Sequence, residues 1–554
     1  MSSHRFGKRR ISAIALVLAL ASTLAACSTN SSASTTASAG KPVAGGTLTY
    51  LENEEEACLD PEIGGDIPQA MIGQQITDDL VYEGPGGKIE PWLAKSWTVS
   101  PSGLQYTFTL RDDVKFTDGT PLNAAAVKAN LDRVVNPKTG SSTDGGYIAP
   151  FYKNSVVVSP YVLQVNLKQA DTSLLDVLAQ GYIGIESPKG LARGQEANCN
   201  DPIGTGPFEV KSYTPNQQVV LVRNPNYNSA PPGSAHQGPA YLSKIIWKIV
   251  PDDTVRYEAL AKNQADVIYD PPAQEWKAIQ ASGNEKIFTH ERPGSPTGIT
   301  FNVDKAPLDD VRVRQALIYA SDEAADLKSA YLDTYPFVGS PLVEGTPDYD
   351  AALQNAYPYS VSKAGKLLDA AGWTSRNSDG YRTKNGQVLK VAIPYDSDAG
   401  QTPTEDLTLY QDIQASEKKA GIDVVLQPVS TTALDNLYET HDYQTLAGNY
   451  WITNTPDVLR TLFSTQALKY YGTNGTNYSN PTLDSLLAKG LSDQDATSRN
   501  QLYTQAQQLV SKAALQLNLY PAEERLAYAS DVHGITADYA VGLPDFHDAW
   551  ISKQ

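Results

Sequence analysis

Basic side chains are scarce in this sequence of 554 residues: 44 Lys and Arg face 62 Asp and Glu, a formal charge of −18. Neutralisation of phosphates by Lys and Arg is the main source of nucleic-acid affinity, so no nucleic-acid partner is expected. Cysteine is rarer still, at three residues, which excludes a small disulfide-dense scaffold. The six His are scattered, with no two at ligand spacing, so neither a metal site nor a cofactor is expected. Long apolar runs are also missing, which argues against a polytopic membrane protein. Enzyme signatures are absent: there is no Gly-x-x-x-x-Gly-Lys, no His-Glu-x-x-His and no Gly-x-Ser-x-Gly. Gly204-Thr205-Gly206 lacks the third glycine of a dinucleotide loop and reads as a tight turn beside a strand.

What is present is a large soluble composition, 41% hydrophobic and 19% charged over 59.8 kDa, more than one core usually organises, so two or more lobes are expected. Arg5, Lys8, Arg9 and Arg10 precede an apolar run from Ile11 to Leu20, the layout of a secretory signal. The run ends in Leu24-Ala25-Ala26-Cys27, which looks like a bacterial lipobox. Residues 1–26 are expected to be removed and Cys27 to be lipidated, with Sec export favoured over twin-arginine export despite Arg9-Arg10. Removal of four basic residues leaves 40 against 62 acidic, a mature charge of −22. Two or more acyl chains hold a protein stably at a membrane, so the outer face of the cell membrane is the expected location. Residues 27–44, rich in Ser, Thr and Ala, read as a flexible tether. An exported chain meets an oxidising environment, and Cys58 and Cys199 are expected to pair, two separate buried thiols being the alternative.

Along the mature chain, period-2 alternation marks strands at Thr47 to Leu51 and Tyr106 to Leu110, with further strands at Val219 to Val222, Ile245 to Val250, Leu389 to Ile393 and Ile422 to Leu426. Asp118-Gly119 supplies a turn, after which Asn123 is placed as N-cap of a helix, with Leu122 and Val127 at staple spacing and Leu131 and Val134 continuing the apolar face. Val313, Ala316, Leu317 and Ala320 share one helix face behind Asp309 and Asp310, and Ala364, Leu367, Leu368 and Ala371 share another before Gly372. Interleaved strands and helices give a mixed α/β class with crossover connections. The run Glu52 to Glu56 reads as a solvated loop rather than a cation site, because like charges seldom cluster unless water screens them.

Several segments carry a resemblance. Leu104-Gln105-Tyr106-Thr107-Phe108-Thr109-Leu110-Arg111 with Val114 to Leu122, Pro202 to Phe208 with Arg223-Asn224-Pro225-Asn226-Tyr227, Phe301-Asn302 with Val311 to Leu317, and Asn477-Tyr478-Ser479-Asn480-Pro481 with Leu483-Asp484 occur in order behind the lipobox. In these the chain resembles the family 5 extracellular solute-binding proteins, the peptide/nickel-type binding lipoproteins of ABC importers. The resemblance implies a two-lobed clamshell of the large class, without catalysis. Lobe one is expected at 45–79, 185–293 and 527–554, an extra subdomain of that lobe at 80–184, and lobe two at 294–526. It further implies a monomer that captures an oligopeptide or similar small solute between the lobes and delivers it to a membrane permease. The alternatives are a secreted lipoprotein hydrolase, or a ligand-presenting sensor with the same fold.

In peptide-binding relatives a Trp-x-Ala-Asp segment lines the cleft, its Asp meeting the ligand's α-ammonium group. Here that segment is Trp451-Ile452-Thr453-Asn454, followed by Asp457. Trp451 matches, whereas Asn454 offers a dipole in place of a charge, which predicts a cargo without a free α-amine at that point, or another acid such as Asp66 or Asp457 in its place. Thr300 matches a second cleft position, and the Asp66-Ile67 loop is expected to supply main-chain contacts.

Overall fold

The alternation Leu48, Tyr50 against Thr47, Thr49 forms the strand Thr47–Glu52, whose inward Leu48 and Tyr50 are fully buried. The computed structural model describes residues 40–55, 58–63, 65–141, 143–398, 401–470 and 473–552. The expected signal segment, Cys27 and most of the expected tether lie outside these residues. None of the described helices is long and apolar enough to cross a membrane.

Thr47–Glu52 sits inside a seven-stranded sheet, in the order Glu285–Glu291, Glu523–Ala529, Val267–Tyr269, Thr47–Glu52, Lys244–Ile249, Gln218–Arg223, Phe208–Thr214. It runs parallel to its two neighbours, and the outer pairings are antiparallel. Tyr50 stacks on Trp247 with ring centroids 3.9 Å apart, and Phe546 meets both rings edge-on. Gly204 and Gly206 lie against the end of the helix Ile67–Ile76: a Cβ on Gly204 would come 2.1 Å from the Ile76 carbonyl oxygen, and Gly206 N donates to that oxygen at 2.8 Å. Close backbone approach, not phosphate binding, explains these glycines.

A four-stranded antiparallel sheet, Ala94–Val99, Gln105–Leu110, Val162–Leu167, Tyr152–Ser159, buries Tyr106, Phe108 and Leu110 against the helix Ala124–Val134. Asn123 caps that helix by accepting from Ala126 N at 3.0 Å, and Leu122, Val127, Leu131 and Val134 all point into the core. The Asp118-Gly119 turn holds Gly119 at φ +81°, where a side chain is disfavoured.

The strand Gly294–Phe301 lies between Thr445–Ile452 and Gln516–Tyr520, all antiparallel. Lys390–Asp396 and Asp423–Val429 form a parallel pair in the same half, covered by the helices Val311–Ala320, Val361–Ala370 and Thr404–Ala420. Asp310, not Asp309, is the N-cap of the first of these, accepting from Arg312 N at 2.9 Å.

The chain passes between the seven-stranded and the three-stranded sheet at Arg292-Pro293 and at Pro521-Ala522. The two passages lie side by side, with Arg292 N donating to Ala522 O at 2.9 Å. Glu523 to Leu526, inside the expected 294–526 span, pair with Glu285–Glu291 of the seven-stranded sheet. A correction concerns Glu52, which is fully buried at the end of a central strand and is no part of a solvated loop. Glu55 accepts from the Tyr213 hydroxyl at 2.7 Å, and Glu56 lies outside the described residues.

Cys58 and Cys199 are joined, S–S 2.01 Å, tying the segment after the first strand to the helix Gln195–Asn200. Closing a loop of this length stabilises the fold by at most about 5 kcal/mol in the chain-entropy model.

Candidate functional site

The seven-stranded and three-stranded sheets are joined at the two adjacent passages. The strand Thr445–Ile452 presents Tyr450 and Trp451 toward opposite sides of its sheet, as period-2 geometry requires. Tyr450 keeps 42% of its surface accessible although its hydroxyl pKa is raised, by desolvation first and then by Glu54, Asp66 and Asp406 acting against Arg292. Glu54 and Asp66 come from the half with the seven-stranded sheet, and Asp406 from the helix Thr404–Ala420 opposite. Burial, then Asp66, pushes the Glu54 carboxyl up.

A cavity of about 200 Å³ opens at the same junction, with Asn53, Asp270 and Arg525 on one side and Tyr331, Thr404 and Glu405 on the other. The Arg525 guanidinium lies 4.4 Å from the Trp276 ring centre and 4.2 Å from that of Tyr335, and 3.7 Å from Asp270. Asp406 accepts from the hydroxyls of Tyr331 at 2.8 Å and Tyr520 at 2.7 Å. Burial raises the Asp406 carboxyl to about 6, the two hydroxyls pulling the other way. Flat aromatic faces, hydroxyls and an excess of carboxylates suit a polar solute carrying cationic or hydrogen-bond-donating groups.

The residues expected from sequence divide. Trp451 packs against both the apolar cluster of the four-stranded sheet and that of the helices near Leu459 and Tyr503, and its indole N–H is buried with no hydrogen-bond partner. Asn454 is 1% exposed: its amide nitrogen donates to Glu83 and, at 2.9 Å, to the Asp176 carbonyl, while its oxygen accepts from Gln180 at 2.6 Å. These bonds tie the strand Val81–Gly84 and residues 176–180 to the segment that follows the strand Thr445–Ile452. Burial lifts Glu83 to about 7. Asp457 is fully buried and ion-paired with Arg460 at 2.6 Å. Thr300 is buried in its sheet and accepts from Asn449 at 3.0 Å. Asp66 caps the helix Ile67–Ile76, accepting from Gln69 N at 2.9 Å, and Ile67 packs on the seven-stranded sheet. Sequence reasoning did not single out Tyr450, Arg525, Trp276 or Asp406. The 31 Tyr against 10 Phe do not discriminate, because Tyr also populates surfaces.

A second group of side chains lies away from this junction: His236, His547 and Asp548, 311 positions apart along the chain at the two histidines, come together, which the scattered spacing of the histidines did not suggest.

Known proteins share both pattern and fold. The glutathione-binding protein GsiB of Salmonella typhimurium is 28% identical over 465 residues, covering 82% of this chain and 85% of that protein. The nickel-binding periplasmic protein of Escherichia coli is 30% identical over 365 residues, covering 65% of this chain and 67% of that protein. Among solved structures, NikA of Brucella suis in complex with Fe(III)-EDTA superposes with a TM-score of 0.80 at 23% identity, over 92% of this chain and all of NikA. The ABC transporter-associated periplasmic binding protein DppA of Helicobacter pylori, in complex with the peptide STSA, gives 0.78 at 23%, over 92% and 99%. The fold is thus the two-lobed clamshell of periplasmic binding proteins, and the chain is a binding protein, not an enzyme. The model of the bacterial extracellular solute-binding proteins, family 5, matches residues 88–469, more than two-thirds of the sequence, and the chain belongs to that family.

Proposed function

We propose that this chain is the lipid-anchored solute-binding component of an ABC importer, holding an oligopeptide or similar small solute between its lobes and delivering it to the permease. The observation that carries the reading is the accessible Tyr450 ring between acid-bearing halves, with the unpartnered indole N–H of Trp451 on the same strand. The lobe limits proposed are 45–79, 185–293 and the chain beyond 522 for lobe one, 80–184 for its subdomain, and 294–522 for lobe two. Trp451, Thr300 and the Asp66-Ile67 loop are proposed ligand contacts, and Asn454 a contact that joins the halves. Because Asp457 is committed to Arg460, Glu54, with the helix-capping Asp66 near it, is the acid proposed to meet a cationic group of the cargo. Lipidation of Cys27 rests on the sequence Leu24-Ala25-Ala26-Cys27 behind an apolar run.

One preparation tests both parts. Cells expressing the full chain are fractionated, and the protein released from membranes by detergent is analysed by native mass spectrometry. The parent chain is expected in the membrane fraction, bound to a solute that leaves unchanged on denaturation; Cys27→Ser moves to the soluble fraction, and Trp451→Ala loses most of the solute. Equal membrane retention of Cys27→Ser contradicts the anchor, and a solute recovered chemically altered contradicts the binding role.

A further inference from the structure

We propose that the cavity of about 210 Å³ framed by the segment 78–92, the loop 227–234 and the C-terminal stretch 536–548 is a binding site for a small organic polycation, a diamine or polyamine. Seven carboxylates line this cavity, and no Lys or Arg does. Its lining residues all lie outside 294–522, so it is separate from the space between the proposed lobes.

Six of the seven acids are matched within the protein. Asp78 accepts from the hydroxyls of Tyr227 at 3.0 Å and Ser229 at 2.5 Å, and Asp538 accepts from Val541 N at 2.7 Å. Asp545 accepts from His547 N at 2.7 Å, and Glu83 accepts from the Asn454 amide. Asp548 pairs with His236 at 2.8 Å and Glu90 with Lys88 at 2.5 Å. Asp79 is the exception: it lines the cavity at 5% exposure, and its carboxylate makes no hydrogen bond and no ion pair among the described residues. Burial, then the charges of Asp538 and Asp78, pushes its carboxyl well up. Protonation neutralises Asp79 without giving it a partner, whereas an ammonium group supplies both the charge and the donors.

The walls select the kind of cation. Asp78, Asp79, Glu83 and Asp538 belong to no group of three, among the described residues, whose ligand atoms lie within 4.8 Å of one another, so these acids are too dispersed for one metal ion to gather. Dispersed acids suit a molecule that carries its positive charges apart. Tyr82, Trp92 and Tyr539 add aromatic surface for an ammonium group and its methylenes. Tyr82 and Trp92 meet edge-on at 5.9 Å, and the Trp92 indole N–H is fixed by donating to Ser229 O at 2.6 Å. Burial first, then Asp538 and Asp545, raises the Tyr82 hydroxyl, which places that ring among the acids of the C-terminal stretch. The volume is below the roughly 300–1,000 Å³ of pockets for drug-sized ligands, which limits the occupant to a short chain. Tyr539, at 40% exposure, marks the mouth together with the exposed Gly233 and Thr536.

The test is a calorimetric titration of the detergent-released mature protein with spermidine and with putrescine, at about pH 8 and about 150 mM salt so that loose surface attraction is screened. One saturable equivalent of at least one amine is expected, magnesium chloride should not displace it, and the bound amine should raise the melting temperature. Asp79→Asn, which removes the charge and keeps the shape, should bind at least about tenfold more weakly while melting no earlier than the parent. If that variant does not fold, Tyr539→Ala at the mouth is titrated in its place and should bind about two- to fivefold more weakly. A second equivalent that the variant keeps lies elsewhere, and loss of the first beside it supports the site. No saturable binding of either amine, displacement by magnesium, or equal affinity and stoichiometry in parent and variant overturns the proposal.

Discussion

Arg292→Met should destabilise the protein by about 3–5 kcal/mol, and adding Glu524→Leu should restore most of the loss. Arg292 sits on one passage between the sheets and Glu524 just beyond the other, and their side chains pair at 2% and 0% exposure. Removing the guanidinium strands a carboxylate where water cannot reach it, whereas replacing both partners by apolar groups of similar volume leaves nothing unmatched. The pair also couples the two passages on which closure in the proposed function depends. Thermal and urea melts of the single and double variants decide it. A single variant as stable as the parent, or a double variant no better than the single, would contradict this role.

Stability should rise as pH falls from 8 to about 5, the reverse of the usual behaviour of a protein held by ionised carboxylates. Burial, the largest cause in each case, raises Asp78, Asp326, Asp406 and Asp538 to about 6 and Glu83 and Asp171 to about 7. None of these six makes an ion pair among those formed by the described residues. In the unfolded chain the same groups lose their protons near 3.8 for Asp and 4.5 for Glu. Between about pH 4 and pH 7, therefore, the folded state holds more protons than the unfolded state, and stability falls as pH rises through that window. A shift of one unit corresponds to about 1.4 kcal/mol, so a single such acid outweighs a surface ion pair of about 0–1 kcal/mol. Below about pH 4 the gain ends, because the unfolded chain is then protonated as well, and Asp60, held low by Arg133 and its other hydrogen-bond partners against its own burial, begins to lose its charge. The expected melting curve series peaks near pH 5, several degrees above pH 8; a flat series, or a maximum near pH 8, would contradict it.

Strands and helices with a one-sided pattern were legible in the sequence for a physical reason. Tyr106, Phe108 and Leu110 alternate because one face of their sheet is covered, and Asn123 and Asp310 announce helix starts because free amides there need an acceptor. The strand Glu523–Ala529 was not legible, since Glu523, Glu524 and Arg525 in succession read as surface. Their charges are matched from elsewhere in the chain: Glu524 by Arg292, and Arg525 by Asp270 and two aromatic rings. Glu52 misled for the same reason, a charge placed by strand geometry at a buried junction. At the candidate site, Trp451 was proposed from a local motif. The contacts of Asn454 with Glu83 and Gln180 could not, because they span 371 and 274 positions. His236 and His547 escaped by the same argument, since proximity in the sequence says nothing about loops brought together at the edge of a sheet.

The central claim is that the two lobes close on a solute and open without it. The structure shows the halves in contact through Asn454 and Gln180, through Ala273 N donating to Glu405 at 3.2 Å, and through Thr172 N donating to the Leu491 carbonyl at 2.9 Å. Opening of the lobes requires these bonds to break. Small-angle scattering of the chain from Gly45 onward, first as purified with its bound solute and then after the solute has been removed by unfolding and refolding, measures the change. The account predicts a larger radius of gyration for the stripped protein, returning to the first value when the recovered solute is added back; the same radius in all three samples, with solute binding verified by mass spectrometry, would contradict it.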